Sequence, residues 1–292
     1  MAVAENKLSI KDFKGDDSTW CPGCGHFGAM AALQRAAVSL GIEPHQMAVI
    51  SGIGCSGKIS EYTRAFGFHT LHGRSLPVAQ GVKLANKDLY VVAGGGDGDG
   101  YGIGAGHFTH AIRRNIDITY LVMDNHIYGL TKGQTSPTSD QGFITKTSPE
   151  GSAERPTRPL EMALANGITF LAQGFSGNIN QLTELVKKGL QHKGFSLINI
   201  FSPCVTYNKI NTYDFYREHI RNLDEEGYTP KTREEAFQLV RETNGVVTGV
   251  LYQESDTPCY EQVLKGFPET AIAKQDLNLP IEYLQELESR YL

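Results

Sequence analysis

LYVVAGGGDGDGYGIGAGHFTHAIRRNIDITYLVMDN, residues 89–125, holds the reading that decides the fold. LYVVAG (89–94) is a short apolar run of strand character that enters the glycine loop Gly94–Gly100 without a break. Helical spacing follows over 103–114, and a second apolar run, ITYLVMD (118–124), ends in Asp124-Asn125. Each strand is apolar almost throughout, as strands buried on both faces of a parallel sheet are.

The same alternation extends in both directions. Upstream, the Ala-rich stretch 26–40 predicts a helix stopped by Gly41, and MAVIS (47–51) predicts a strand running into the glycine-bearing loop Gly52–Gly57. Pro77 is placed to open a helix through Ala85. Downstream, a loop rich in Gly, Thr and Ser runs to about 158. Helix 159–166, strand 168–172, helix 178–192 and strand 195–201 are expected after it. The class is therefore α/β, a mainly parallel sheet between two helix layers, with ligands beyond the carboxyl ends of its strands. From about 212 the chain carries more charge, fewer glycines and several tyrosines. This divides it into a domain at 1–210 and a helical, partly irregular extension at 211–292 that packs on the domain or on a partner.

Composition narrows the function classes. At 292 residues, 40% hydrophobic, the chain has material for a sizeable core. The net charge of −5 points away from nucleic acid and from acidic membrane surfaces, and the pair Arg113-Arg114 is no basic patch. No run of 18 apolar residues is present to span a membrane, and Met1–Lys11 lacks the apolar core of a signal peptide. A cytoplasmic location is expected. In that compartment five cysteines point to metal binding or burial rather than disulfides.

Asp97 and Asn125 lie 28 positions apart, the length of one helix and one strand, so both fall at strand ends on one edge of the sheet. A carboxylate, an amide oxygen and a backbone carbonyl suit a hard divalent cation that keeps room for phosphate oxygens. The glycines admit close backbone approach, and a helix starting near Ile103 presents its positive end to phosphate. Taken alone, a glycine turn with solvated aspartates is the plain alternative. The stretch does not fit the dinucleotide fingerprint G-x-G-x-x-G with an acidic residue about 20 positions on.

Cys21-Pro22-Gly23-Cys24 is a C-x-x-C pair just before a helix, where the helix start is expected to lower the thiol pKa. Cys55 sits in the glycine loop after one strand, and Cys204 follows Ser202-Pro203 after another. Four thiolates suit a structural zinc ion or a [4Fe–4S] cluster. Zinc usually takes two close pairs; one pair and two distant singles lean toward the cluster. Buried, unliganded thiols are the plain alternative for Cys55 and Cys204. Cys259 stands apart and is expected to be structural.

GDGD at 96–99 with DN-x-x-YG at 124–129 resembles the thiamine diphosphate motif. The longer string GDGDGYGIGAGHFTHAIRRNIDITYLVMDNHIYGLTKGQTSPTS (96–139) resembles the β subunits of 2-oxoacid:ferredoxin oxidoreductases, a likeness running from near Trp20 to about Tyr207. The resemblance implies the three-layer thiamine diphosphate-binding fold. It also implies Mg2+ on Asp97, Asn125 and the Ile127 carbonyl, and the diphosphate on Gly98, Asp99, Gly129 and Leu130. Ile53, Gly54, Cys55, Ser56 and His72 then line the cofactor, and Cys21, Cys24, Cys55 and Cys204 hold one [4Fe–4S] cluster. No ferredoxin-type cysteine run occurs, so electrons pass to a separate ferredoxin.

The implied reaction converts a 2-oxoacid, coenzyme A and oxidised ferredoxin into acyl-coenzyme A, carbon dioxide and reduced ferredoxin, or the reverse. The carboxylate that activates the aminopyrimidine has no candidate here and is expected from an α subunit, in an α2β2 heterotetramer. GLTKGQTSPTS and HFTHAIRRN look most like 2-oxoglutarate enzymes; pyruvate or a broad 2-oxoacid range is the runner-up. Lys58 is a candidate for the substrate carboxylate, an exposed surface lysine being the equal alternative. A thiamine decarboxylase without redox function and a zinc-stapled binding protein are the readings from other classes.

Overall fold

The computed structural model describes residues 8–276, 278 and 280–292. Residues 1–7, most of the charged start read above as lacking a signal peptide, lie outside the described residues. The strands are β1 (Met47–Ser51), β2 (Phe66–His69), β3 (Tyr90–Gly96), β4 (Thr119–Asp124), β5 (Phe170–Phe175), β6 (Ser196–Phe201), β7 (Arg221–Asn222) and β8 (Val247–Gln253). They form one eight-stranded sheet in the order β2-β1-β3-β4-β6-β5-β8-β7. Every pairing is parallel except β5 with β8.

Period-two alternation in strands buried on both faces yields two cores. Ala48, Ile50, Val91, Ala93, Tyr120 and Val122 face helices 75–85, 105–114, 159–165 and 233–242. Met47, Val49, Val92, Leu121, Met123 and Ile198 face helices 26–39 and 179–191. Full burial of each Val, Leu, Ile or Met among these stabilises by about 1.5–3 kcal/mol. The result is the three-layer α/β fold expected from the sequence. Among the described residues no helix is long and apolar enough to cross a membrane.

Several elements depart from the expectations. The helix assigned to Pro77–Ala85 begins two residues earlier, at Ser75. The chain after Asp97 coils at once into a widened turn, Gly98–Ile103, broken at Gly102 before the helix Ala105–Arg114. Five glycines between 96 and 104 lower the barrier to that tight entry. Strand β5 lies at 170–175 rather than 168–172. β2 was not expected, because this edge strand is exposed along its whole length and shows no burial pattern.

The region after 211 is not purely helical and irregular. β8 lies antiparallel on β5 with a bulge in the pairing, and Gly249 there has φ +129 with its would-be Cβ 2.9 Å from Leu223 Cβ. Thr248 and Gly249 interrupt the apolar run and hide it in the sequence. Leu223, Ala236, Leu239 and Leu251 join the core of one face.

Candidate active site

The carboxyl ends of β1, β3 and β4 open on one cleft. The β1 loop supplies Ile53, Gly54, Cys55 and Ser56, and the loop after β2 supplies His72. The turn after β3 brings Asp97, Gly98 and Asp99; the turn after β4 brings Asn125, Ile127, Gly129 and Leu130. Every residue expected to line the cofactor or hold the cation therefore meets in this cleft. Lys58 does not line it; its Nζ donates to Thr19 Oγ1 at 2.8 Å.

Asp97 is buried and held from one side. Its Oδ2 accepts from the Ser136 hydroxyl and from Thr138 Oγ1 at 2.8 Å, whereas Oδ1 has only the Asn125 N–H at 3.4 Å. One oxygen is thus fixed by hydroxyls and the other left nearly free. Thr138 Oγ1 also lies 2.8 Å from Asp124 Oδ1, tying the two strand ends together. Burial first, then the neighbouring Asp124, push the Asp97 carboxyl up to about 6. Two carboxylates this close in a buried site call for positive charge between or beside them. Asn125 Oδ1 accepts from Ile127 N–H at 3.0 Å, and both residues line the cleft. A carboxylate oxygen, an amide oxygen and nearby backbone form a donor set of hard oxygens that fits Mg2+.

Around this set a cassette from the loop 136–139 closes. Ser139 Oγ donates to the His126 carbonyl at 2.6 Å, and His126 Nδ1–H donates to the Thr138 carbonyl at 2.7 Å. His126 adopts φ +56, so the chain bends sharply between Asn125 and Ile127. Burial alone would lower the His126 pKa, but Asp124, the Thr138 carbonyl and Asp97 carry it above its ordinary value.

Asp99 works differently. Its Oδ1 accepts from Ile53 N–H (2.9 Å), Gly73 N–H (2.8 Å) and His72 Nδ1 (2.9 Å). The side chain therefore knots the β1 and β2 loops to the β3 turn, with its Oδ2 buried and without a hydrogen-bond partner.

The four cysteines gather beside the same cleft. Cys55 lines it, and a Cβ placed on Gly129 would stand 3.6 Å from Cys204 Sγ and 3.8 Å from Cys55 Sγ. The Cys21–Cys24 turn docks on the Cys204 loop: Gly25 N–H donates to the Pro203 carbonyl at 3.1 Å, and His26 Nδ1 meets Ser202 Oγ at 2.7 Å. Trp20 Nε1–H donates to the Cys55 carbonyl at 2.6 Å, pinning that loop from outside. The thiol pKa expected to fall at the helix start instead rises. Burial, aided by Cys204, Cys55 and Cys21, pushes Cys24 up to about 12 and outweighs the His26 N–H that lowers it. Burial raises Cys55 as well. Among the described residues no three His, Cys, Asp or Glu side chains close on a single ion. Four thiols around a shared space fit the chemistry of an iron–sulfur cluster, whose cube spreads its ligands more widely than one ion does. Cys259, buried at the far end of the chain, takes no part.

Ser136, Thr138, Ser139, His26 and Asn208 all serve this rim and were not singled out in the sequence. The one available signal was three hydroxyl residues in four positions, just downstream of Asp124-Asn125.

Residues 45–200 match the family described as thiamine pyrophosphate enzyme, C-terminal TPP binding domain. Residues 204–269 match the family described as the C terminal of the pyruvate ferredoxin oxidoreductase beta subunit. The beta subunit of a 2-oxoacid:ferredoxin oxidoreductase from a Sulfolobus species is 43% identical over 260 residues, 85% of each chain. The chain belongs to the 2-oxoacid:ferredoxin oxidoreductase β subunits. Within this family of oxidoreductases, the 2-oxoglutarate synthase subunit KorB of Archaeoglobus fulgidus is 41% identical over 70% of this chain and 78% of its own. Among solved structures, a 2-oxoglutarate:ferredoxin oxidoreductase from Magnetococcus marinus, with 2-oxoglutarate, coenzyme A and succinyl-CoA bound, superposes with TM-score 0.84. It is 41% identical, and the match covers 98% of the present β subunit, against 91% of its own chain.

Proposed function

We propose that this chain carries Mg2+ and thiamine diphosphate in the cleft and one [4Fe–4S] cluster on Cys21, Cys24, Cys55 and Cys204. With its α subunit it oxidises 2-oxoglutarate to succinyl-coenzyme A and carbon dioxide and reduces ferredoxin, or runs the reverse reaction. The observation that carries this is Cys55, which lines the cleft of Asp97 and Asn125 and also stands with Cys204 beside Gly129. An organic electron sink and an inorganic electron acceptor placed there share one wall.

In this reading Asp97, Asn125 and the Ile127 carbonyl hold the cation, and Gly98, Asp99, Gly129 and Leu130 hold the diphosphate. Ile53, Gly54, Ser56 and His72 orient the organic part. When bound, thiamine supplies a carbanion nucleophile and takes up the electrons released on decarboxylation. The protein's share is positioning: the hydroxyls on Asp97 fix one carboxylate oxygen and leave the other for metal, and the Asp99 knot holds His72 against the β3 turn. Thiamine chemistry also needs a carboxylate on the aminopyrimidine. The carboxylates lining the cleft, Asp97 and Asp99, are both committed elsewhere.

The α subunit supplies that group and closes over the cleft. Leu130, in the cleft lining, is 52% exposed, and Leu71, beside His72, is 77% exposed, apolar surface that calls for a partner. The assembly in this reading is α2β2, with the region after 211 adding β7 and β8 to the same sheet.

2-Oxoglutarate is favoured by the KorB relatives and by the Magnetococcus marinus enzyme. A broad 2-oxoacid range is the second reading, favoured by the generic naming of the Sulfolobus and Aeropyrum pernix relatives. The test is a steady-state assay of the αβ complex with coenzyme A and ferredoxin against a panel of 2-oxoacids. A kcat/KM for 2-oxoglutarate at least about tenfold above that for pyruvate, roughly 1.4 kcal/mol of discrimination, supports the first reading. Equal values support the second, and no coenzyme A-dependent ferredoxin reduction with any acid sinks both.

A further inference from the structure

We infer that Asn208 is a positioning residue that locks the turn bearing Asn125 to the turn bearing Cys204, so that occupancy of the thiamine site and retention of the cluster are energetically coupled. The inference rests on the ligand roles proposed above and goes beyond them to how the two sites communicate.

Asn208 is 2% exposed, and its side chain has no spare hydrogen-bonding capacity. Nδ2 donates to the Asn125 carbonyl at 3.0 Å and to Asn211 Oδ1 at 2.9 Å. Oδ1 accepts from the N–H groups of Ile210 and Asn211, each at 3.0 Å. These four partners fix the amide's orientation, because exchanging its oxygen and nitrogen would set like against like at every contact. The backbone N–H of the same residue donates to the Cys204 carbonyl at 3.1 Å. One residue and two hydrogen bonds therefore span from the cation-side turn to the thiol-side turn.

A second tie runs parallel, from Ser202 N–H to the Asp124 carbonyl at 2.8 Å, but it is part of the regular strand edge. Asn208 is the tie made by a side chain, and substitution can remove it without breaking the sheet. Its bond to the Asn125 carbonyl sets the plane of the peptide that follows Asn125, and with it the bend at His126. Any shift of that turn when the cation site fills must move Asn208 or break its bond. Through Cys204 the shift reaches the thiol. By linkage the effect is reciprocal: whatever factor the cofactor adds to cluster retention, the cluster adds to cofactor affinity.

The obvious substitution is Asn208→Asp, nearly isosteric, which faces an oxygen where Nδ2 faced two acceptors. Asn208→Ala removes the amide without adding charge and serves if the first variant does not assemble. The measurement is the rate at which an iron chelator bleaches the visible absorbance of the αβ complex, with and without Mg2+ and thiamine diphosphate. In the unsubstituted complex the cofactor is expected to slow bleaching at least about fivefold, the lower end of typical couplings. In the variants that protection ratio falls at least about threefold, and thiamine affinity by direct binding weakens about tenfold, as loss of a satisfied buried hydrogen bond predicts.

A merely loosened loop would speed bleaching with and without cofactor and leave the ratio alone. A ratio that falls by less than about threefold in the variants, or no protection in the unsubstituted complex, overturns the inference while leaving the cofactor assignment in place. A complex that carries neither iron nor thiamine overturns the proposed function, and the inference with it.

Discussion

The oxygen-lined and thiol-lined halves of the rim are built on opposite plans. Around Asp97 and Asn125 the side chains do the holding: Ser136, Thr138, Ser139 and Asn208, all buried, fix the carboxylate, both turns and the intervening bend by direct hydrogen bonds. Around the thiols the holding is done mostly by backbone docking, with Trp20 and the His26–Ser202 contact as its side-chain ties, and Cys21 is exposed. Burial first, then the neighbouring thiols, raise Cys24 and Cys55, outweighing the His26 N–H at Cys24 and Lys58 at Cys55 that favour the thiolates. In the proposed reading, then, the oxygen site would meet its cation already held by side chains, whereas the thiols would give up their protons to the group that binds them.

Substitutions should separate the two halves. The largest effect is expected from Asp97→Ala, which removes the carboxylate oxygen proposed for the cation. Thiamine affinity, measured by calorimetry, should fall beyond the roughly 10–100-fold typical of supporting residues, with iron content largely kept. Retained affinity would take Asp97 out of the cation site. Cys204→Ala comes next. Iron should be lost and ferredoxin reduction abolished, while thiamine affinity moves by less than about tenfold, within the usual span of coupling between distinct sites. Unchanged iron by metal analysis would remove Cys204 from the ligand set.

Thr138→Val keeps shape and deletes the shared hydroxyl between Asp97 and Asp124. A supporting contact of this kind is worth about 10–100-fold in cation affinity, read from the Mg2+ dependence of thiamine binding. An unaltered Mg2+ titration would show that the clamp is packing only. The smallest effect is expected from Lys58→Ala, since Lys58 lies outside the cleft lining and on Thr19. If the lysine swings to a substrate carboxylate, KM for 2-oxoglutarate rises by about tenfold or less and that for pyruvate stays. Equal changes for both acids would dismiss it from substrate choice.

The two halves also differ in how far the sequence disclosed them. β1, β3 and β4 are apolar runs that enter glycine loops, so their ends, and with them Asp97, Asn125 and Cys55, were placed by local pattern alone. The C-x-x-C pair was equally plain, though not the direction of its thiol pKa, which depends on burial that no local window shows. Ser136, Thr138 and Ser139 look like ordinary loop residues. Their role exists only because a chain segment some 40 residues downstream folds back over Asp97. Asn208 and His26 are visible only once the turns they join are in contact. β8 was obscured by Thr248 and Gly249, and β2 by its exposure. Long-range polar contacts, and strands without an unbroken buried run, are what local pattern missed.

The proposed transfer takes electrons released at the cleft directly to the thiol-bound group. It is tested by mixing the purified αβ complex with 2-oxoglutarate and coenzyme A under argon, without ferredoxin, and following its visible absorbance. Prompt bleaching that requires both Mg2+ and thiamine diphosphate is the expected result. A complex that holds iron and thiamine yet keeps its absorbance with every 2-oxoacid would contradict it.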